Sequence, residues 1–238
     1  MKKKIVAIAL AVAVLAIAVV GGSVAWFMDE DAMTNVFTVG SIEIEQNENF
    51  VQNSMLLPIV DTADPSADDN FVTKEVNVSN VGENEAYVQT LIAVPALLDN
   101  TDPKILHIYD ENAVAGGWVK VDGDADATNG FTPKYTNVDI DGILHNVYLY
   151  RYATELAVGA TTANVIDGVY VDAAIDLNTY DTDNDGTTDS AKFVVGGTEI
   201  DFEAAGTLNV YVTTQAVQVS GFDSAAAALD AAFTTHPW

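Results

Sequence analysis

From Gly40 onward, apolar and polar residues alternate in short runs that are separated by Gly, Asn, Asp and Pro. In residues 42–45, the two isoleucines point to one face of an extended chain and the two glutamates to the other. This period of two is typical of half-buried β-strands and not of helices. The pattern therefore predicts an all-β protein in which residues 41–238 form a single domain.

The same reasoning places the individual strands at residues 42–45, 55–60, 76–79, 87–94, 118–121, 135–140, 147–152, 168–175 and 208–219. Residues 87–94 are apolar on both faces, as expected for a central strand packed between layers. Pro95 ends that strand because proline has no N–H to donate to a sheet. The rest of residues 46–70 is polar and is predicted to be a loop. Residues 96–113 have helical or irregular character, with a helix start at Asp102-Pro103.

The C-terminal region has a different period. Residues 224–233 form an alanine-rich run in which Leu229 and Phe233 fall at helical spacing. Asp223 or Ser224 is suited to cap this helix at its N-terminus. We therefore predict one short C-terminal helix that packs its Leu and Phe side chains against the sandwich.

Tyr148, Tyr150 and Tyr152 fall on one face of their predicted strand. Such a stripe is either a binding platform or a face for cross-strand packing. The spacing favours the packing face.

The first twenty-five residues resemble a secretory signal peptide. Three lysines precede an apolar run from residue 5 to residue 20, and the small residues Ser23, Val24 and Ala25 follow. Cleavage after Ala25 would make Trp26 the new N-terminus. The apolar run is shorter than the roughly 20 residues that span a bilayer. Extending it through Met28 would make it long enough, so an uncleaved anchor is the alternative.

Composition limits the partners of the exported chain. Three of the nine basic residues lie in the signal segment, which leaves six against 35 acidic residues and a net charge of −29. This charge argues against nucleic acid as a partner, and against a membrane except through the signal segment before cleavage. It also makes identical subunits repel one another unless cations, low pH or a strong interface compensate. The chain has no cysteine, so its core must hold without disulfides.

Three stretches of sequence resemble the TasA/camelysin family, whose members are secreted through a dedicated SipW-type signal peptidase. The first is the signal segment with the aromatic pair, the acidic stretch and TNVFTVGSIEIE at residues 34–45. The others are VNVSNVG with AYVQT at residues 76–90, and TQAVQVSGF at residues 214–222. The resemblance implies a jelly-roll β-sandwich. Its best-known members form extracellular fibres in biofilm matrix.

The camelysin branch of the family is described as metalloproteases, and a metalloprotease needs a catalytic motif. The chain has three histidines, at positions 107, 145 and 236, and no His-Glu-x-x-His or His-x-x-x-His spacing. It also has no Gly-x-Ser-x-Gly motif and no cysteine nucleophile. The sequence therefore favours a protein without enzymatic activity, and a camelysin-like secreted metallopeptidase is an alternative.

One acidic loop has the spacing of a calcium site. Carboxylates stand at loop positions one, three, five and nine, with Gly186 at position six. The position-twelve glutamate of a helical calcium hand is replaced by Lys192, which predicts weak affinity. The alternative is a solvated, Asp-rich hairpin loop. The candidate Ca²⁺ ligands are Asp181, Asp183, Asp185 and Asp189.

Together these observations predict a secreted structural subunit that assembles with itself into extracellular fibres or matrix. In fibre-forming relatives, as the resemblance implies, the N-terminal segment leaves its own subunit and completes a sheet of the next one. Residues 26–40 are the candidate donor strand here, with the apolar side chains Trp26, Phe27, Met28 and Met33. The alternative is a cell-surface binding module that does not assemble.

Overall fold

The computed structural model describes residues 41–51, 54–123, 131–180, 190–200 and 209–238. All of these residues belong to one compact unit that runs from residue 40 to residue 238. Their elements, in chain order, are β1 (Ile44–Phe50), β2 (Val72–Asn80), β3 (Ala86–Pro95), α1 (Ala96–Asp99), β4 (Leu106–Tyr109), α2 (Glu111–Ala115), β5 (Trp118–Val121), β6 (Tyr135–Ile140), β7 (Ile143–Tyr152), β8 (Ile166–Val171), β9 (Asp176–Tyr180), β10 (Ser190–Val195), β11 (Thr198–Ile200), β12 (Tyr211–Gln218) and α3 (Ala225–Ala232). The protein is all-β, with few and short helices.

The strands form two main antiparallel sheets. The first sheet has the order β1-β2-β8-β4. The second has the order β12-β3-β7-β5, with β6 also paired to β7. The pairs β2–β8 and β3–β7 are nested in sequence and lie in different sheets, as in a jelly roll. A third, smaller sheet has the order β11-β10-β9.

The main core lies between the first and second sheets. Val76 and Val78 of β2 pack from one side, and Val88 and Ile92 of β3 pack from the other. All ten residues of β3 are buried because this strand is covered on both faces. Its second face contacts a cluster around Leu91 and, further along, the C-terminal helix. The prediction of a central strand that ends at Pro95 is confirmed.

The C-terminal helix is also confirmed. Ser224 caps α3 by accepting a hydrogen bond from the backbone N–H of Ala227 at 3.2 Å. Leu229 of the helix is fully buried beside Tyr87, and Phe233 packs against the same cluster. The helix therefore covers the outer face of the second sheet. No helix among the described residues is long and apolar enough to cross a membrane.

Part of the predicted loop at residues 46–70 is wrong, because β1 continues to Phe50. Polar side chains stabilise this half of the strand by hydrogen bonding to side chains of the neighbouring strand β2. Asn47 donates to Asn77 and Ser79, both at 3.0 Å, and Asn49 donates to Glu75 at 2.9 Å. A strand whose partners are polar shows no apolar alternation, so the pattern missed it.

Two further predictions are corrected. The predicted strand at residues 55–60 is reduced to a single bridge between Pro58 and Val171, since proline cannot extend a ladder. The predicted helix start at Asp102-Pro103 is also wrong, because that bond is a cis peptide followed by the strand β4. Strand β4 is short and lies at a sheet edge, so its alternation covers too few residues to be recognised.

Candidate functional site

The residues that the sequence singled out for processing, strand donation and calcium lie outside the described part of the chain. They are Ala25 and Trp26 at the cleavage site, Trp26, Phe27, Met28 and Met33 in the candidate donor strand, and Asp181, Asp183, Asp185 and Asp189 in the acidic loop. The structure does show what flanks the acidic loop. Strands β9 and β10 pair up to Tyr180 and Ser190, so residues 181–189 connect the two strands of a hairpin.

The N-terminal segment enters the sandwich at a fixed junction. The backbone N–H of Val81 donates to Glu43 O at 3.0 Å, and that of Glu83 donates to Ser41 O at 3.2 Å. Gly82 lies between them, and a Cβ at this position would meet Glu43 N at 2.7 Å and Ser41 O at 2.8 Å. The junction therefore requires glycine, and Ser41 lies next to the turn between β2 and β3.

Strand β1 follows this junction and is an edge strand of its sheet. Together with the edge strand β12 of the other sheet it forms one side of the sandwich, which we call the open side. In the described part of the chain, no strand pairs with the outer edge of either one. The two strands belong to different sheets and are joined through Gln46. Its side chain donates to Val212 O at 3.2 Å and accepts from Thr214 Oγ1 at 2.7 Å.

Beyond Gln46 the open side widens. Glu48 and Phe50 lie on the same face of β1 as Ile44, which packs against the main core. Even so, the Glu48 side chain is 34% exposed and Phe50 is 38% exposed. Glu48 pairs with Lys74 at 2.7 Å, and the Lys74 ammonium lies 4.8 Å from the centre of the Phe50 ring. Two side chains on the inward face of β1 are thus partly exposed at this end.

The opposite side of the sandwich is formed by the edge strands β4 and β5, and we call it the closed side. Helix α2 joins these two strands across the gap between the sheets. An open pocket of about 270 Å³ lies here, which we call the polar pocket. Its apolar lining is Val94, Leu106, Ile108 and Phe131, and its polar lining is Asp99, Lys104, His107, Asp110, Lys120, Tyr148 and Tyr150.

The first polar group of the pocket is centred on Asp99, at the end of α1. This buried carboxylate accepts hydrogen bonds from Lys104 Nζ at 2.9 Å, from Tyr148 OH at 2.8 Å and from Asn146 Nδ2 at 2.6 Å. Lys104 Nζ also donates to Tyr148 OH at 2.6 Å. Both carboxylate oxygens are therefore occupied by three donor residues, two on β7 and one before β4.

The second group repeats this arrangement with different residues. Asp110, which precedes α2, accepts from Tyr150 OH at 2.7 Å and from Lys120 Nζ at 2.8 and 3.0 Å. The Lys120 ammonium lies 5.3 Å from the centre of the Phe131 ring. Each group thus combines one aspartate, one lysine and one tyrosine.

The two tyrosines are held in their protonated form. Burial, followed by the neighbouring Asp99 carboxylate, raises the pKa of Tyr148 above its usual value. Burial and Asp110 raise the pKa of Tyr150 well above its usual value. Both rings pack in the main core, which confirms the tyrosine stripe as a packing face. Their hydroxyl groups reach the pocket, which the stripe alone did not indicate.

The described histidines lie on separate elements. His107 on β4 stacks on Tyr170 with 5.0 Å between ring centres, and its Nε2 lies 3.1 Å from Asp172 Oδ2 without hydrogen-bond geometry. His145 on β7 is buried, and its ring nitrogens face the carbonyl oxygens of Ile143 and Asn209. His236 follows α3 and packs against a tyrosine ring.

A catalytic zinc needs about three protein ligands around one point and an open position. Within the ranges that the structure describes, no group of three or more His, Cys, Asp or Glu side chains is placed to hold a metal ion. Both ring nitrogens of His145 are already directed at backbone carbonyls. The described histidines therefore do not fit a zinc centre.

Comparison with known proteins gives one match. The family model described as camelysin metallo-endopeptidase matches residues 1–94. No curated protein and no solved structure matches the chain. The matched residues run from the signal segment through the N-terminal junction and into β3. This match confirms the resemblance of the chain to the TasA/camelysin family.

Proposed function

We propose that this protein is a secreted structural subunit that assembles with itself into extracellular fibres of a biofilm matrix or cell surface. Its N-terminal segment, residues 26–40, would leave its own subunit and add to a sheet of the next one. The family match supports a secreted or cell-surface protein. Assembly and strand exchange are the parts that the experiments below test.

The open side is the observation that carries this proposal. Edge strands β1 and β12 present main-chain donors and acceptors that pair with no strand in the described part of the chain. An exposed edge of this kind is a template for another strand unless the protein protects it. The partly exposed inward face at Glu48 and Phe50 leaves room for side chains of an added strand.

The sequence supplies a suitable strand. Residues 26–40 contain the apolar side chains Trp26, Phe27, Met28 and Met33, which are costly to leave in water. The segment precedes the junction around Gly82, so it is attached at one end of the sandwich. Fifteen extended residues reach about 50 Å. A segment that leaves one subunit and adds to the next gives a head-to-tail contact that does not close, hence a filament.

Electron microscopy of the secreted protein tests the proposal. Filaments should form, and they should form more readily at low pH or with divalent cations, because these reduce the repulsion between subunits of net charge −29. Particles that stay monomeric under all of these conditions would favour the cell-surface binding module instead.

Processing is a separate part of the proposal. We propose that a SipW-type signal peptidase cleaves after Ala25, because Ser23, Val24 and Ala25 place small residues where the enzyme needs them. N-terminal sequencing of the secreted protein should begin at Trp26. Membrane-bound protein that still begins at Met1 would show that the segment is retained as an anchor.

We also propose that the hairpin connection at residues 181–189 binds Ca²⁺ through its four aspartates. Millimolar calcium should then raise the melting temperature, and calcium at ten times the Kd should add about 1.4 kcal/mol to the free energy of unfolding. A double variant of Asp183→Ala and Asp185→Ala should lose that rise. If the variant and the native protein gain equally, the segment is a solvated hairpin loop.

The family name also requires a test of peptidase activity. We propose that the chain is not an enzyme, since its described histidines do not fit a metal centre. Casein digestion with and without a chelator decides this. Digestion by the purified protein that a chelator abolishes would establish the metallopeptidase function.

A further inference from the structure

The polar pocket on the closed side has no role in fibre assembly as proposed above. It is nonetheless a built site, because its polar side chains come from α1, β4, β5, β7 and the segments that flank β4. Its volume of about 270 Å³ is slightly below the roughly 300–1,000 Å³ of sites for drug-sized ligands. It is therefore suited to a small ligand such as a single sugar ring.

The hydrogen-bonding groups of the pocket determine the chemistry that a ligand must have. The Asp99 oxygens are fully occupied, and the Tyr148 and Tyr150 protons point at carboxylates. Lys104 uses two of its three donors on Asp99 and Tyr148 among the described residues. Its side chain is 39% exposed and that of Lys120 is 32% exposed. Among the described contacts, Asp110 Oδ1 accepts only from Lys120, so the pocket presents ammonium donors beside one carboxylate oxygen that can accept a further hydrogen bond.

The charge of the pocket also limits the class of ligand that it can bind. Its two lysines are balanced by Asp99 and Asp110, so the site is close to neutral within a strongly acidic protein. An anionic ligand would meet these carboxylates and the negative field of the chain. A cationic ligand would meet the two ammonium groups. A neutral ligand avoids both costs.

A neutral pyranose satisfies all of these conditions. A sugar hydroxyl accepts from an ammonium group while it donates to the adjacent carboxylate, and an Asp–Lys pair offers both functions side by side. The apolar C–H face of the ring can pack against Phe131, Leu106 and Ile108. We propose that the polar pocket binds a neutral hexopyranose unit, either as a free sugar or as the terminal unit of a glycan. This proposal does not depend on fibre assembly.

The proposal is tested by titrating the secreted protein with the methyl glycosides of glucose, galactose, mannose and N-acetylglucosamine, followed by protein NMR. At least one glycoside should bind with a Kd on the order of 1 mM and shift resonances of Phe131, Tyr148 and Tyr150. Glucuronate should bind at least about tenfold more weakly than methyl glucoside, because of its charge. The free sugar and short oligosaccharides of the glycoside that binds then distinguish the two sources. Tighter binding with chain extension indicates a glycan terminus, and loss of binding on extension indicates a free sugar.

Matched variants locate the site. Lys120→Met and Lys104→Met should each weaken binding about tenfold, because each removes a charged donor. Lys134→Met removes the same charge from an exposed position outside the pocket lining and should change the Kd less than about twofold. Circular dichroism shows whether each variant is folded. If one of the two pocket variants does not fold, the other alone tests the site. The proposal is overturned if no glycoside binds at 50 mM, a concentration of about fifty times the expected Kd, if glucuronate binds as well as the neutral sugars, or if Lys134→Met weakens binding as much as the pocket variants.

Discussion

The open and closed sides of the sandwich differ in how the edges of the two sheets are joined. On each side the first and second sheets end in edge strands, and on each side a lysine points between the sheets. On the closed side, α2 joins the edges, and Lys104 and Lys120 belong to groups with an aspartate and a tyrosine. On the open side, the described hydrogen bonds that join the edges all involve Gln46, and Lys74 pairs with a partly exposed glutamate.

Under the two proposals made above, the two sides serve different partners. A side whose polar groups satisfy one another is finished within the subunit and can hold a small ligand in a defined pocket. A side whose strand edges pair with no other described strand, and on which Phe50 is exposed, offers a template to which another strand can add. Substitutions on the closed side should therefore lower the stability of the single subunit, whereas changes at the N-terminal segment should alter assembly.

The largest loss of stability is expected for Asp99→Ala on the closed side. It leaves the buried Tyr148 hydroxyl without its acceptor and Lys104 without its counter-charge, and it removes one of the two acceptors of the buried Asn146 amide, which keeps Asn100. We expect a loss of about 3 kcal/mol in the free energy of unfolding, measured by urea denaturation at constant m. Asp99→Asn keeps one carbonyl acceptor and should lose less. A loss below about 0.5 kcal/mol for Asp99→Ala, the level of an ordinary surface change, would mean that this side is not held by its polar groups.

A smaller effect is expected from the ion pair on the open side. Lys74 is the buried partner, with a side chain that is 7% exposed, while Glu48 is 34% exposed. Glu48→Gln leaves a buried ammonium group without its counter-charge and should cost about 2 kcal/mol. Lys74→Met removes that ammonium group and keeps a similar stem, so it should cost less than about 1 kcal/mol. Thermal unfolding of both variants shows which one loses more stability. A larger loss for Lys74→Met than for Glu48→Gln would show that Lys74 is better hydrated than the structure indicates.

A pH-dependent effect is expected from Tyr150. Because its pKa is raised in the folded protein, the folded state keeps a proton that the unfolded chain releases above about pH 10. The stability from this group is complete below that pH and falls as the pH rises further, by about 1.4 kcal/mol per pH unit. Tyr150→Phe should remove this part of the decline in an alkaline titration of stability. Tyr152→Phe, at the partly exposed end of the same stripe, is the control, and equal slopes for both variants would contradict the assignment.

The sequence predicted best where side chains alternate clearly. The bounds of β5 and β6 agree with the predicted ranges, and Ser224 caps α3 as expected. Alternation failed to predict the second half of β1, which is polar because it pairs with polar residues of β2. The strands β9–β11 were also missed, since short runs with many polar residues carry little periodicity.

The polar pocket could not be predicted from the sequence. Its residues come from five separate segments, and the pattern of each segment gives only its own strand or helix. The tyrosine stripe was the one local signal, because alternate tyrosines on a core face need partners for their hydroxyl groups. Which aspartates supply those partners depends on how α1 and α2 pack against β7, which is a tertiary property.

We propose that the N-terminal segment, residues 26–40, joins one subunit to the next through the open side, and removal of residues 26–36 deletes most of this segment. The most direct measurement compares protein that begins at Trp26 with protein that begins at Phe37, by size-exclusion chromatography and electron microscopy at low pH. Both should fold, because the junction at Ser41–Glu43 and the whole sandwich are retained. The longer protein should form filaments and the shorter one should remain monomeric, since only the longer one carries the donor strand. Filaments of the protein that begins at Phe37, formed as readily as those of the longer protein, would contradict the account.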